Sequence, residues 1–251
     1  MRFGKHSPKR SLETLALSNY MKASAVPFPQ VHAWERTIDY RMLMNDTLGD
    51  CVIAGCCHLE MSWQAVAHAG DAPFVPTDEQ VTADYSAVGG YVPGQPATDN
   101  GCNMLDAMHY GLRKGYSGRQ PWRTFATLDI QNIDQIKAAI YTFGGVLLGF
   151  SVPQSMVDEL SAGLDPSFKV VPNDQASGEG HCVLALGYGR SGLAIVSWGK
   201  LYHASWDFWM ANVDEAFGVV SLAWLKASGV SPTGVDIDGL ISDTNQLPGV
   251  G

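Results

Sequence analysis

From Cys51 to Gly70 the chain reads CVIAGCCHLEMSWQAVAHAG, in which Val52, Cys56, Leu59, Trp63 and Val66 recur at helical spacing before Gly70-Asp71 ends the run. A helix this apolar must be buried along most of its length, so the remaining elements have to enclose it. Cys51 falls on its first turn. Unpaired backbone N–H groups and the helix dipole favour a thiolate there.

Flanking segments carry their own start and stop signals. A helix is expected from Thr77, where Thr-Asp-Glu-Gln supplies an N-cap hydroxyl with a Gln three places on. Another covers MLDAMHYGLRKGY, with Leu105, Met108 and Leu112 on one face and Lys114-Gly115 as its stop. The Gly/Pro/Asn-rich GGYVPGQPATDNGCN between them reads as a loop. Beyond Asp129 a helix around IDQIKAAIYTF leads through Gly144-Gly145 into VLLGFSV, a strand by its length and glycine flanks. After a polar loop, HCVLALGYG and LAIVSWG form two strand-like runs joined by the turn GRSG, and AFGVVSLAWL adds a further apolar run. The expected class is α+β, divided into residues 1–44 as an N-terminal arm and lead-in, 45–128 as a helical lobe, and 129–251 as a sheet lobe with a C-terminal tail. Pro27 and Pro29 make the lead-in extended.

Composition narrows the function. A net charge of −9 argues against nucleic acid as a partner, because phosphate binding needs clustered cations. Arg2, Lys5, Lys9 and Arg10 form the one basic cluster, read either as a solvated arm or as a tether for an acidic partner surface. No run approaches the roughly 18 apolar residues of a membrane span, and MRFGKHSPKRSLETLALSNYM lacks a secretory core, so a cytoplasmic chain with no membrane partner is expected. Five cysteines, at 51, 56, 57, 102 and 182, read as reduced thiols. Cys56, Cys57, Cys102 and Cys182 suit packing; with no pair of short Cys/His knuckles and no glycine-rich phosphate loop, neither metal nor cofactor is expected.

Acyl transfer through a thiol needs a base that takes its proton and later returns it. His181 is the candidate, since it follows ASGEG and opens an apolar strand. In this order the parts resemble the papain-like cysteine peptidases from Asn45 to about Leu225, and His181 follows Cys51 within the roughly 130–150 residues of that family's spacing. The resemblance implies a two-lobed fold, a helical lobe whose central helix starts at the Cys packed beside an antiparallel sheet lobe. It also implies roles: Cys51 as nucleophile, His181 as general base, and Asn45, six positions before Cys51, as the oxyanion donor that a Gln supplies in the family. GHCVLALGYG is similar to the family's histidine strand, and AIVSWG to the next one, in which an Asn before Ser-Trp-Gly orients the imidazole.

Two departures stand out. Val196 occupies the Asn position, leaving Asp207, Asn212 or Asp214 as substitutes, and Asp50 precedes Cys51, where its charge would oppose a thiolate unless it points to solvent or bonds the helix start. NDTLGDCVIAG, PGQPATDNG, FGGV, SWG and DEAF also look like segments of uncharacterised papain-like proteins of phages and prophages. The expected function is a peptidase or amidase acting on a peptide or protein through a Cys51 thioester. The alternatives are acyl transfer to another acceptor, and a silent papain-like module that binds phage structural proteins in a host cytoplasm or virion.

Overall fold

The computed structural model describes residues 1–9, 11, 14–21, 28–34, 38–67, 71–230 and 234–247; Arg10, Pro27, Gly70 and the end of the C-terminal tail lie outside the described residues. Along the chain come β1 (His32–Ala33), α1 (Cys51–Ala67), α2 (Asp78–Gly89), α3 (Met104–Lys114), β2 (Thr124–Thr127), α4 (Ile133–Phe143), β3 (Val146–Pro153) and α5 (Gln154–Ser161). There follow β4 (Ala176–Tyr188), β5 (Gly192–Ser197), β6 (Lys200–Ser205), α6 (Trp206–Asn212), β7 (Val213–Val220), α7 (Leu222–Ala227) and α8 (Ile237–Thr244).

Local chemistry sets the helix limits. Thr77 Oγ1 accepts from the Gln80 N–H and Gln80 Oε1 from the Thr77 N–H, a reciprocal cap at the start of α2 worth about 1 kcal/mol. Asn103 caps α3 through the Leu105 N–H, and Gly115, at φ 70°, ends it. Every residue of α1 from Cys51 to Trp63 is buried, so its polar members need internal partners. Glu60 accepts from Trp122 Nε1 at 2.7 Å, and His58 Nε2 bonds the Arg41 carbonyl at 3.1 Å.

The described residues hold one antiparallel sheet in the order β2-β7-β3-β4-β5-β6, with β1 also paired to β4. α1 and α4 pack against β4. The strand carrying His181 begins at Ala176 rather than at the histidine: Ser151 pairs with Gly180 and Pro153 with Ala176, so β3 draws ASGEG into the ladder. AFGVVSLAWL divides at Ser221, whose Oγ accepts from the Trp224 N–H and starts α7. Neither β2, held to the sheet edge by β7, nor α6, capped by Ser205, was foreseen from apolar periodicity. Among the described residues no helix is long and apolar enough to cross a membrane.

Candidate active site

Cys51 is the first residue of α1, and the Cys182 backbone lies beside its sulfur. β4 lies close on the helix at Gly55, where a Cβ would stand 3.3 Å from Leu147 Cδ2 and 3.4 Å from Cys182 Sγ. Cys182 therefore packs on α1 as expected of a core thiol, and alternation along β4 turns His181 to the other face.

The His181 ring is sandwiched by aromatic neighbours. Trp198 stacks on it at 4.3 Å with planes 14° apart, while Phe150 and Phe3 meet it edge-on. Its Nε2 lies 2.8 Å from Ser197 Oγ, and its buried Nδ1 has no hydrogen-bond partner. None of the three substitutes proposed for the missing amide holds the ring. Asn212 Nδ2 donates to the Phe208 carbonyl, Asp214 engages Lys5 and Ser151, and Asp207 stands in the first turn of α6. Val196 is core, paired with Leu184 and Leu201. The missed residue was adjacent: Ser197 ends β5 just before Trp198 and Gly199 turn at φ 46° and 70°.

The N-terminal arm crosses this site, with Lys5 buried while Arg2 and Lys9 stay exposed. Gly4 and Lys5 both donate to the Gly180 carbonyl, His6 donates to that of Cys102, and the Cys102 N–H donates to Gly4. Gly4 leaves no room for a side chain, because a Cβ would collide with the Gly49 carbonyl. The Arg2 carbonyl accepts from Asn45 Nδ2 at 3.3 Å and Trp198 Nε1 at 3.4 Å, so Asn45 faces the arm, its second bond going to the Leu48 carbonyl. The Lys5 ammonium is buried against Asp214 and Glu215, and Lys9 pairs with Asp106. The acidic surface the arm meets is thus its own. Beside it remains a groove of about 710 Å³, lined by residues that include Asp99, Asn100, Glu179 and Asp214.

Solved structures with this architecture include xylellain, a cysteine protease from Xylella fastidiosa, at a TM-score of 0.67 and 14% identity over 88% of this chain and 96% of that one. Procathepsin B S9 from Trypanosoma congolense superposes at 0.54 and 10% identity, over 88% of this chain and 87% of that one. The cysteine protease and lectin-like domains of Cwp84 from Clostridium difficile do so at 0.54 and 11%, over 88% and 56%. The fold is papain-like. No protein-family model matches the chain, and no curated protein does.

Within this papain-like frame, burial dominates the electrostatics. It pushes the Cys51 thiol up to about 12, against the opposing backbone bonds from Cys182 and Gly4, and Asp50 adds to the rise. It lowers His181 to about 3. At neutral pH the pair is therefore a thiol and a neutral imidazole. Asp50 points neither to solvent nor at the helix start: it is fully buried, burial raises its carboxyl well above the usual range, and neither oxygen has a hydrogen bond of good geometry. Burial thus favours the uncharged carboxyl of Asp50, which eases its opposition to a thiolate.

Proposed function

We propose that this papain-like chain is a cysteine peptidase or amidase acting on a peptide or protein through a Cys51 thioester. The observation that carries the reading is the state of the His181 imidazole: Nε2 is tied to Ser197 while the buried Nδ1 has no partner. A ring fixed at one nitrogen and open at the other has a free base, and in this reading it takes the proton of Cys51.

In this mechanism the arm first leaves. Water then reaches the site, which lowers the cost of the thiolate–imidazolium pair that burial now forbids. Cys51 Sγ bonds to the substrate carbonyl carbon as His181 takes the thiol proton. The carbonyl oxygen becomes an oxyanion held by the Asn45 amide and the Cys51 backbone N–H. The C–N bond breaks, the amine leaves with the proton from His181, and water hydrolyses the thioester. Asn45 already donates to a carbonyl, that of Arg2, which supports its use as a carbonyl-oxygen donor.

A second reading is a silent papain-like module, such as a phage structural component. It is favoured by the occupied cleft and by a hydroxyl where the resemblance implies an amide. The deciding measurement is the pH dependence of Cys51 alkylation by iodoacetamide, in a protein whose arm has been released and in the same protein carrying His181→Ala. Reactivity well below the free-thiol range of about 8.5, lost with His181, supports the enzyme. An ordinary titration in both proteins leaves the silent module.

A further inference from the structure

The contacts that hold the arm fall into two kinds. Along its backbone the bonds run to the Gly180 carbonyl and to both backbone groups of Cys102, and any extended peptide could make them. Gly101 and Gly180 allow this approach, since a Cβ on either would collide with an arm carbonyl. Sequence is read at the side chain of Lys5, which is 1% exposed.

Its aliphatic stem runs over Gly149, where a Cβ would strike Lys5 Cε, so that glycine opens the channel. At the end, Nζ lies 2.9 Å and 3.1 Å from the two oxygens of Asp214, 3.3 Å from Glu215 Oε1 and 3.1 Å from the His6 carbonyl. Glu215 is itself 8% exposed, and its Oε1 has no hydrogen bond besides this ion pair. Once the ammonium is withdrawn, two adjacent carboxylates face an empty slot that only a cation on a narrow stem fills without loss.

Resting on the peptidase reading above, we propose that the slot formed by Gly149, Asp214 and Glu215 is the specificity pocket of the site, selecting a lysine side chain of a peptide substrate, and that Lys5 is its internal occupant. In this reading the arm competes with a substrate for the slot, since Lys5 fills it. The pocket adjoins the site: Gly4, the residue before Lys5, abuts Gly49, two positions before Cys51, and Phe3 meets the His181 ring.

The test uses the full chain carrying Gly4→Ala and Lys5→Met, which expels the arm without altering the receiving surface. Binding of fluorescein-labelled Phe-Gly-Lys-His amide is followed by anisotropy against the same peptide with norleucine in place of lysine. The lysine peptide should bind roughly 10-fold tighter, the scale of a charge-assisted contact, and adding Asp214→Asn and Glu215→Gln should erase the difference. Equal affinities, or no saturable binding of the lysine peptide, overturn the proposal. If the double variant does not fold, Lys5→Met alone is measured against the same criterion. Lysine-selective binding with no hydrolysis keeps the pocket and removes the peptidase reading. Cys51-dependent hydrolysis indifferent to lysine does the reverse.

Discussion

Ser197 Oγ stands 2.8 Å from His181 Nε2, and this hydroxyl fills the place that the family resemblance assigns to an amide at position 196. It is a positioning residue. Ser197→Ala would leave a buried ring nitrogen unbonded, costing about 1 kcal/mol of stability, and would free the imidazole to rotate. In an arm-released background such as Lys5→Met, Cys51 alkylation at pH 7 should slow by roughly 10-fold, since a misoriented base deprotonates poorly. Ser197→Thr should restore the rate; a hydroxyl without influence on the ring would leave all three proteins alike.

The thiol is held up at about 12 and the imidazole down at about 3 chiefly by burial, to which the arm contributes. Lys5→Met removes the charge that anchors the arm. Cys51 in the variant should react with iodoacetamide at pH 7 about 10-fold faster than in the wild type, as its thiol returns toward the roughly 8.5 of a free cysteine. Equal rates, measured by mass spectrometry at Cys51, would show that the arm does not govern access.

Glu60 connects α1 to Trp122, and burial raises its carboxyl from 4.5 to about 7. The folded protein therefore holds this proton where the unfolded chain has released it, so the stability it contributes is complete below pH 4.5 and falls as pH rises through about 7. Glu60→Gln keeps an oxygen for Trp122 and removes the titration. Urea midpoints at pH 5 and pH 7.5 should lie closer together in the variant than in the wild type. Glu215, also raised to about 7 by burial, preserves part of the wild-type slope.

Gly111 lies under the Trp122 ring, and a Cβ there would collide with it. Gly111→Ala should cost about 1–3 kcal/mol by overpacking, seen as a Tm several degrees lower. An unchanged Tm would mean that Trp122 moves without cost. Because Gly111 stands on α3 and takes no part in the proposed mechanism, alkylation of Cys51 in the Lys5→Met background should not change.

The architecture could be read from residues because its signals are local. The cap at Thr77, the stops at Gly115 and Gly144 and the apolar runs act within a few positions, and they appear where their spacing puts them. The resemblance also pointed to Cys51, His181 and Asn45, and the arm runs past their surroundings: Gly4 abuts Gly49, two positions before Cys51, Phe3 meets the His181 ring and the Arg2 carbonyl accepts from Asn45. What escaped that reading depends on contacts between distant residues. Strand β4 is longer than its apolar run because β3 pairs with ASGEG, and α7 interrupts an apolar stretch because Ser221 caps it. Ser197 became the partner of His181 only where β5 ends beside β4. The arm is the clearest case. Four cations near an N-terminus imply solvation, since charges leave water only for partners, and the partners of Lys5 lie more than two hundred positions away on β7, where the tertiary fold alone brings Asp214 and Glu215 beneath it.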